Sequence, residues 1–294
     1  MTRLIDRLLE GQRWLEPLGD ALQKFAAAVY SGPGRGVKTF LNGTWLGHPL
    51  HPVITDLPIG LWSIGVVFDL VYLFSGQVFA RTAADVTIGL GVFFALIAAI
   101  TGYTDWSDTV DRERRTGLVH GLLNLVATVL YLVSIILRLT HSARGLAIAL
   151  ALIGYVLALT AAYLGGELVF NIGTGVNHHG FEPPVTEWTA VGPLSGIPEG
   201  KPRRVVAGST PVMVLRRGQT VDAIGATCAH AGGPLDEGTL EGNIVVCPWH
   251  ASRFDVRNGA VKGGPATISQ VRYETRVVQG RVELRRSPES LQPN

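Results

Sequence analysis

Four long apolar runs dominate the alternation of hydrophobic and polar positions: Leu57 to Phe74, Val86 to Tyr103, Gly117 to Leu137 and Gly145 to Gly166. A hydrocarbon core about 30 Å thick takes about 20 helical residues, with about 17 to 25 tolerated, and each run falls in that window. Asp69 is the one charged residue inside the first three runs, and the fourth has none. Short connections make neighbouring helices antiparallel, so the pattern predicts a four-helix transmembrane bundle. Glycines at 60, 65, 89, 91, 102, 121 and 154 would let the helices approach closely. No internal repeat stands out.

Residues 1–40 mix charge with apolar positions. In Arg3-Leu-Ile-Asp-Arg-Leu-Leu-Glu the leucines and isoleucine never form an apolar h-region, so a secretory signal is not expected. With Trp14, Leu15, Leu18, Leu22 and Phe25 continuing the apolar side, the segment reads as an amphipathic helix lying at the membrane interface. Packing against the protein's own domains is the alternative. After Phe170 the composition changes to glycine, proline and asparagine through Gly173-Thr-Gly and Glu182-Pro-Pro, which marks a linker. From Glu187 onward short β-rich runs alternate with glycines: Arg204 to Ala207, Pro211 to Leu215, Thr220 to Ile224, Asn243 to Val246, Ile268 to Val278 and Arg281 to Leu284. They predict a small all-β domain. The expected division is an N-terminal helical segment over 1–40, a transmembrane domain over 41–170, a linker over 171–186, the β domain over 187–286 and a fraying tail over 287–294.

Composition sharpens this picture. Of 294 residues 47% are hydrophobic and 16% charged, against about 25% charged in soluble domains. The 25 lysines and arginines nearly balance the 23 acidic residues, so no basic surface for nucleic acid is expected. Two cysteines exclude a disulfide scaffold and leave one disulfide, two free thiols or two metal ligands.

Both cysteines lie in the β domain, as Cys228-Ala-His230 and, after sixteen intervening residues, Cys247-Pro-Trp-His250. Each pair follows a predicted strand and is flanked by small residues, so two loops can grip one inorganic object. Zinc could take two thiolates and two imidazoles, but structural zinc sites usually open with ligands two to four residues apart, and Cys-x-His is tighter than that. The segments Thr227-Cys-Ala-His-Ala-Gly-Gly-Pro-Leu235, Cys247-Pro-Trp-His-Ala-Ser-Arg-Phe-Asp255 and Gly263-Gly-Pro265 resemble the three cluster-binding loops of the Rieske iron-sulfur family, over about residues 187 to 286. The resemblance implies a [2Fe-2S] cluster with Cys228 and Cys247 on one iron and His230 and His250 on the other, the imidazoles facing solvent. Neutral imidazoles make such a cluster easier to reduce. Respiratory Rieske proteins resemble this chain but add a disulfide between the loops; Gly232 and Trp249 stand at those positions. Phe254 stands where those proteins have a tyrosine, and Ser252 keeps the hydroxyl that the resemblance aims at a bridging sulfide. Fewer hydrogen bonds to sulfur imply a potential in the lower half of roughly −150 to +300 mV. The chain is similar to the ferredoxins that feed aromatic-ring oxygenases, with no room for the mononuclear iron domain of an oxygenase itself.

The membrane half carries Asn42-Gly-Thr-Trp-Leu-Gly-His48-Pro-Leu-His51-Pro, Asp56-Leu-Pro-Ile-Gly and Gly165-Gly-Glu-Leu-Val-Phe170. These resemble the bacterial membrane family called domain of unknown function 2231, over about residues 40 to 180, a resemblance that implies no activity. Counting spans puts His48, His51, His120, His178, His179, Asp105, Glu167 and the β domain at one membrane face, with His141 opposite. A b-type haem on His51 and His120 is one expectation. A quinone site in the same cluster, or histidines that merely satisfy helix ends, are the others. Asp69 and Asn124 suggest either a proton route or a polar clasp with Ser63, Thr128 or Tyr72. Lys38, Arg112, Arg114 and Arg115 lie near the first face, against Arg81, Arg138 and Arg144 opposite. No paired arginines precede the fourth span, so twin-arginine export of a folded cluster is not expected. These readings place both termini and the cluster in the cytoplasm, on a multi-pass inner-membrane protein. The expected function is single-electron transfer between the cluster and a membrane haem, a quinone or a soluble redox partner. The alternative is a ferredoxin-like donor to a separate oxygenase or reductase, with the helices only an anchor. Whether the chain is a carrier or an oxidoreductase component stays open.

Overall fold

The apolar runs form helices that extend beyond them at both ends. The computed structural model describes residues 11–288; the Arg3–Leu9 segment and most of the tail fall outside. Helices α1 (Leu15–Val29) and α2 (Gly34–Leu41) precede α3 (Leu50–Ser75), α4 (Val78–Trp106), α5 (Asp111–Leu139) and α6 (Arg144–Glu167). A π-helical turn, Leu168–Ile172, prolongs α6. The four spans measure 26, 29, 29 and 29 residues, counting that turn, and each is long and apolar enough to cross a membrane. Their outward sides expose residues such as Phe74, Phe79 and Phe93, as expected where lipid is the solvent. The chain divides into two units: residues up to Gly32 with Leu50–Thr174, and Pro33–Pro49 with Gly175 onward.

In the first unit α3 packs along α4 and α6, and α5 packs along the same two helices, so α3 and α5 oppose each other across the bundle. Three pairs meet there. His51 and His120 have ring centres 6.2 Å apart, Trp62 stacks on Tyr131 at 4.2 Å, and Arg138 Nη1 donates to Asp69 at 2.8 Å. Positions 51, 62 and 69 on α3 have the same spacing as 120, 131 and 138 on α5. The flanking helices repeat as well. Ala98 and Ala161 accept hydrogen bonds from Nδ1 of His51 and His120 at 2.9 and 2.8 Å. Gly102 and Gly165 lie against the same imidazoles, and Gly91 and Gly154 against Trp62 and Tyr131. The bundle is therefore two helical hairpins, α3–α4 and α5–α6, related by a pseudo-twofold axis along its length, the arrangement of parallel repeats in membrane proteins. The repeat is hidden in linear order because the offset between matched residues is 69 from α3 to α5 but 63 from α4 to α6, and because Trp62 and Asp69 are matched by Tyr131 and Arg138.

A methyl group at Gly91 would collide with the indole of Trp62, which is itself fixed by Tyr131. Gly91→Ala is expected to destabilise the bundle by about 1–3 kcal/mol. Gly60→Ala, in open space on α3, should be neutral or stabilising. Thermal denaturation of both variants in detergent checks the contrast; equal midpoints would discard the close-packing account.

Helix α1 makes the packing contacts that the alternative reading expects. Leu15 and Ala26 are buried, Leu15 packing with Trp106 and Leu118. Arg114 donates to Asp20 at 2.6 Å and to the Glu16 carbonyl at 2.8 Å, so the helix docks on its own bundle while Trp14 and Phe25 stay exposed.

The second unit holds two antiparallel sheets. One is ordered β1-β10-β9-β4-β3-β2 and the other β5-β6-β7-β8. The strands are β1 (Thr189–Pro193), β2 (Pro202–Ala207), β3 (Thr210–Arg217), β4 (Thr220–Gly225), β5 (Thr239–Glu241), β6 (Ile244–Val246), β7 (Arg253–Asp255), β8 (Val261–Gly263), β9 (Arg272–Val278) and β10 (Arg281–Arg286). β5, β7 and β8, with three residues each, are too short to show alternation. The unit also reaches beyond its expected boundaries. Thr44 Oγ1 donates to the Ala266 carbonyl at 3.3 Å, and Asn42 is buried beside Gly264. Within the expected linker, Val185 belongs to the β core and the Pro183 carbonyl accepts from Thr210 at 2.7 Å.

Candidate iron-sulfur site

Two loops of like construction carry the Cys-His pairs. The first leaves β4; its Cys228 N–H donates to the Gly233 carbonyl at 2.8 Å and the Gly232 N–H returns to Cys228 at 2.9 Å. The second joins β6 to β7; its Cys247 N–H donates to Ser252 at 2.8 Å and the Ala251 N–H returns to Cys247 at 3.1 Å. Each closure needs a left-handed residue, Gly232 at φ 78° and Ala251 at φ 58°. A third segment follows β8, where the Ala266 N–H donates to the buried Ser252 hydroxyl at 3.1 Å.

The loops bring the four expected residues together. His230 and His250 have ring centres 5.0 Å apart at 80°, and both cysteines are buried and unbridged. The Cys228 thiol is pushed up by its hydrogen bond to Cys247 and by burial, while that bond draws the Cys247 thiol down to about 6 against the effect of burial. Backbone N–H groups of His230 and Ala231 face Cys228, and those of Trp249 and His250 face Cys247, which favours thiolate. Burial holds His230 neutral, down to about 3, helped by His250, His178 and Lys38.

These residues fit an iron-sulfur cluster. Nδ1 of His230 is buried without a hydrogen-bond partner among the described residues, an uncommon state that suits a lone pair meant for a metal. A Cβ on Gly233 would stand 2.8 Å from Cys247 Sγ and 3.1 Å from the Trp249 ring, so glycine is required to let the first loop close over the second sulfur.

Several neighbours were not foreseen. His178 lies beside Gly232, His179 is buried with Nδ1 3.3 Å from Glu182, and the Gln270 amide oxygen, correctly oriented, accepts from the Ala229 N–H at 2.9 Å. The His178-His179 pair with Glu182 three residues on was the available signal. His48, His178 and His179 belong to the β unit, not to the histidine group of the bundle. In the bundle Asp69 and Asn124 lie in separate polar groups. Asp69 is bound by Arg138 and Arg144, whereas Asn124 Nδ2 lies 3.2 Å from His120 Nε2. The clasp reading is nearer, with Arg138 as the partner that a boundary at Leu137 left out. His141 sits at the other end of the bundle beside Arg81, 3.0 Å away.

Comparison with known proteins gives both halves a class. Residues 187–274 match the Rieske [2Fe-2S] domain, and residues 47–178 match the family described as "Predicted membrane protein (DUF2231)". The ferredoxin subunit of anthranilate 1,2-dioxygenase from Burkholderia cepacia is 36% identical over 103 residues, 35% of this chain and 95% of that protein. Ferredoxin CarAc of Metapseudomonas resinovorans is 35% identical over 96 residues, 32% of this chain and 90% of that protein. The solved ferredoxin of carbazole 1,9a-dioxygenase from Nocardioides aromaticivorans IC177 is 30% identical, covering 35% of this chain and all of that one, with a TM-score of 0.33. The β unit is thus an electron-transfer domain that carries a [2Fe-2S] cluster. The chain belongs to the Rieske [2Fe-2S] family, in an arrangement that fuses the domain behind a four-helix DUF2231 membrane domain.

Proposed function

We propose that the protein is a membrane-tethered one-electron carrier in which Cys228 and Cys247 hold one iron of the cluster and His230 and His250 the other. The observation that carries this assignment is the buried, unpartnered Nδ1 of His230, placed by a loop that also delivers a cysteine. When bound, the cluster accepts and returns a single electron, at a potential raised by its neutral imidazoles. The chain's own contribution is electrostatic: N–H groups of both loops stabilise the thiolates, while the buried, apolar Phe254 adds no donor where respiratory relatives have one. Trp249 stands 58% exposed beside His250 and offers an aromatic contact to a docking partner. Electrons pass between the cluster and a membrane haem, a quinone or a soluble redox protein, with the β unit on the cytoplasmic side of the inner membrane. A second reading, a ferredoxin-like donor to a separate oxygenase or reductase, is favoured by the dioxygenase ferredoxin among the relatives.

Protein purified from membranes should contain iron and acid-labile sulfide in equal amounts and give the paramagnetic resonance of a reduced two-iron cluster. One zinc per chain without sulfide would refute the assignment. A reporter fused after Pro288 should be active in the cytoplasm, and activity only outside would reverse the topology.

A further inference from the structure

The pseudo-twofold axis puts His51 and His120 in equivalent positions with the same backbone contact on one side, and Thr101 Oγ1 is an added neighbour 3.4 Å from His51 Nδ1. Each Nδ1 donates to a backbone carbonyl of the next helix, at 2.9 Å to Ala98 and 2.8 Å to Ala161. A carbonyl can only accept, so Nδ1 carries the proton and Nε2 presents its lone pair. Each ring also rests against a glycine four residues beyond that carbonyl; a Cβ would lie 2.6 Å from the His51 ring at Gly102 and 3.3 Å from the His120 ring at Gly165. Such a bond from the other ring nitrogen, fixing both tautomer and ring, is the usual support of a metal-ligating histidine. Nε2 of His51 has no hydrogen-bond partner among the described residues, and Nε2 of His120 meets only Asn124, whose amide keeps a second bond of 3.1 Å to its own helix.

The spacing selects the kind of metal. Two imidazoles bound through Nε2 at about 2.0–2.1 Å put their ring centres about 6 Å apart when trans and about 5 Å apart when tetrahedral. The observed separation is 6.2 Å, with planes at 89°. We propose that His51 and His120 are the two axial ligands of one haem iron on the pseudo-twofold axis, near the end of the bundle where α3 begins. This inference rests on the electron-carrier reading and chooses haem as the membrane partner. The line between the imidazoles follows the α3–α5 diagonal, so a macrocycle normal to it lies along the α4–α6 diagonal. Around the imidazoles these helices bury Ala98 and Thr101 on one and Ala161 and Leu164 on the other, and the small Ala95 and Ala158 lie one turn farther along. The Trp62–Tyr131 stack, at 4.2 Å, lies farther along the axis.

Full-length protein should be expressed with haem precursor, purified in detergent and examined by pyridine haemochrome assay, optical spectrum and paramagnetic resonance. One protohaem per chain in a six-coordinate, low-spin state is expected. His51→Ala and His120→Ala should each reduce haem to background or leave a five-coordinate, high-spin remnant, with the cluster resonance unchanged. His141→Ala, at the other end of the bundle, should keep the low-spin spectrum. The cluster signal in the same samples reports folding and separates the two readings: cluster present without haem refutes the haem site alone, and absence of the cluster refutes the carrier. Copper or zinc bound in place of haem, or low-spin haem surviving both histidine variants, would also overturn the assignment.

Discussion

Cys228→Ala and Cys247→Ala are each expected to abolish the cluster, taking iron and labile sulfide from full loading to background. The two residues are the chain's only cysteines, so no neighbouring thiol can replace a lost ligand. The sulfurs also carry the N–H donors of both loops, and these favour a bound thiolate that the variants lack. The β architecture should survive. One of its cores, built from Val212, Val214, Tyr273, Val282 and Leu284, contains no cluster residue, whereas the other includes both cysteines with Leu235 and Phe254. Because metal binding contributes to folding free energy, the variants should melt at lower temperature yet keep their β circular dichroism. Iron and sulfide analysis with paramagnetic resonance reads the outcome. A cluster retained at full occupancy in either variant would remove the ligand assignment.

Arg138→Leu should cost the membrane unit about 3–5 kcal/mol, the usual consequence of breaking a buried ion pair from one side. Arg138 is wholly buried at the heart of a network. Its guanidinium binds both carboxylate oxygens of Asp69, Asp85 Oδ1 at 2.9 Å and Ser134 at 3.0 Å. The variant leaves Asp69 with 1% side-chain exposure and a 3.4 Å contact from Arg144 as its remaining ion pair. The double variant Asp69→Leu/Arg138→Leu should recover most of the loss, since it buries no lone charge and keeps the 2.6 Å pair between Arg144 and Asp85. Denaturation midpoints of the single and double variants in one detergent give the coupling. Equal stability for wild type and Arg138→Leu would show that the network holds nothing, and would reopen Asp69 as a proton-carrying group.

What was legible in the sequence was whatever short-range chemistry specifies. Hydrocarbon thickness sets the length of a span, so four apolar runs suffice to announce four helices. Cys-x-His and Cys-x-x-His are local spacings, so Cys228, His230, Cys247 and His250 can be picked out as candidate ligands from linear order. Other features depend on pairings between residues far apart in sequence. The Trp62–Tyr131 stack, the Asp69–Arg138 pair and the facing imidazoles of His51 and His120 appear only when two helices come into register. The repeat they reveal is hidden because its offset differs between the two pairs of helices and because Trp62 and Asp69 are matched by Tyr131 and Arg138. The assignment of residues 33–49 to the β unit likewise rests on long-range hydrogen bonding, such as Thr44 to Ala266. Even α1, amphipathic on either reading, was committed to its own bundle by Arg114 reaching Asp20 and the Glu16 carbonyl, a contact that local periodicity does not encode.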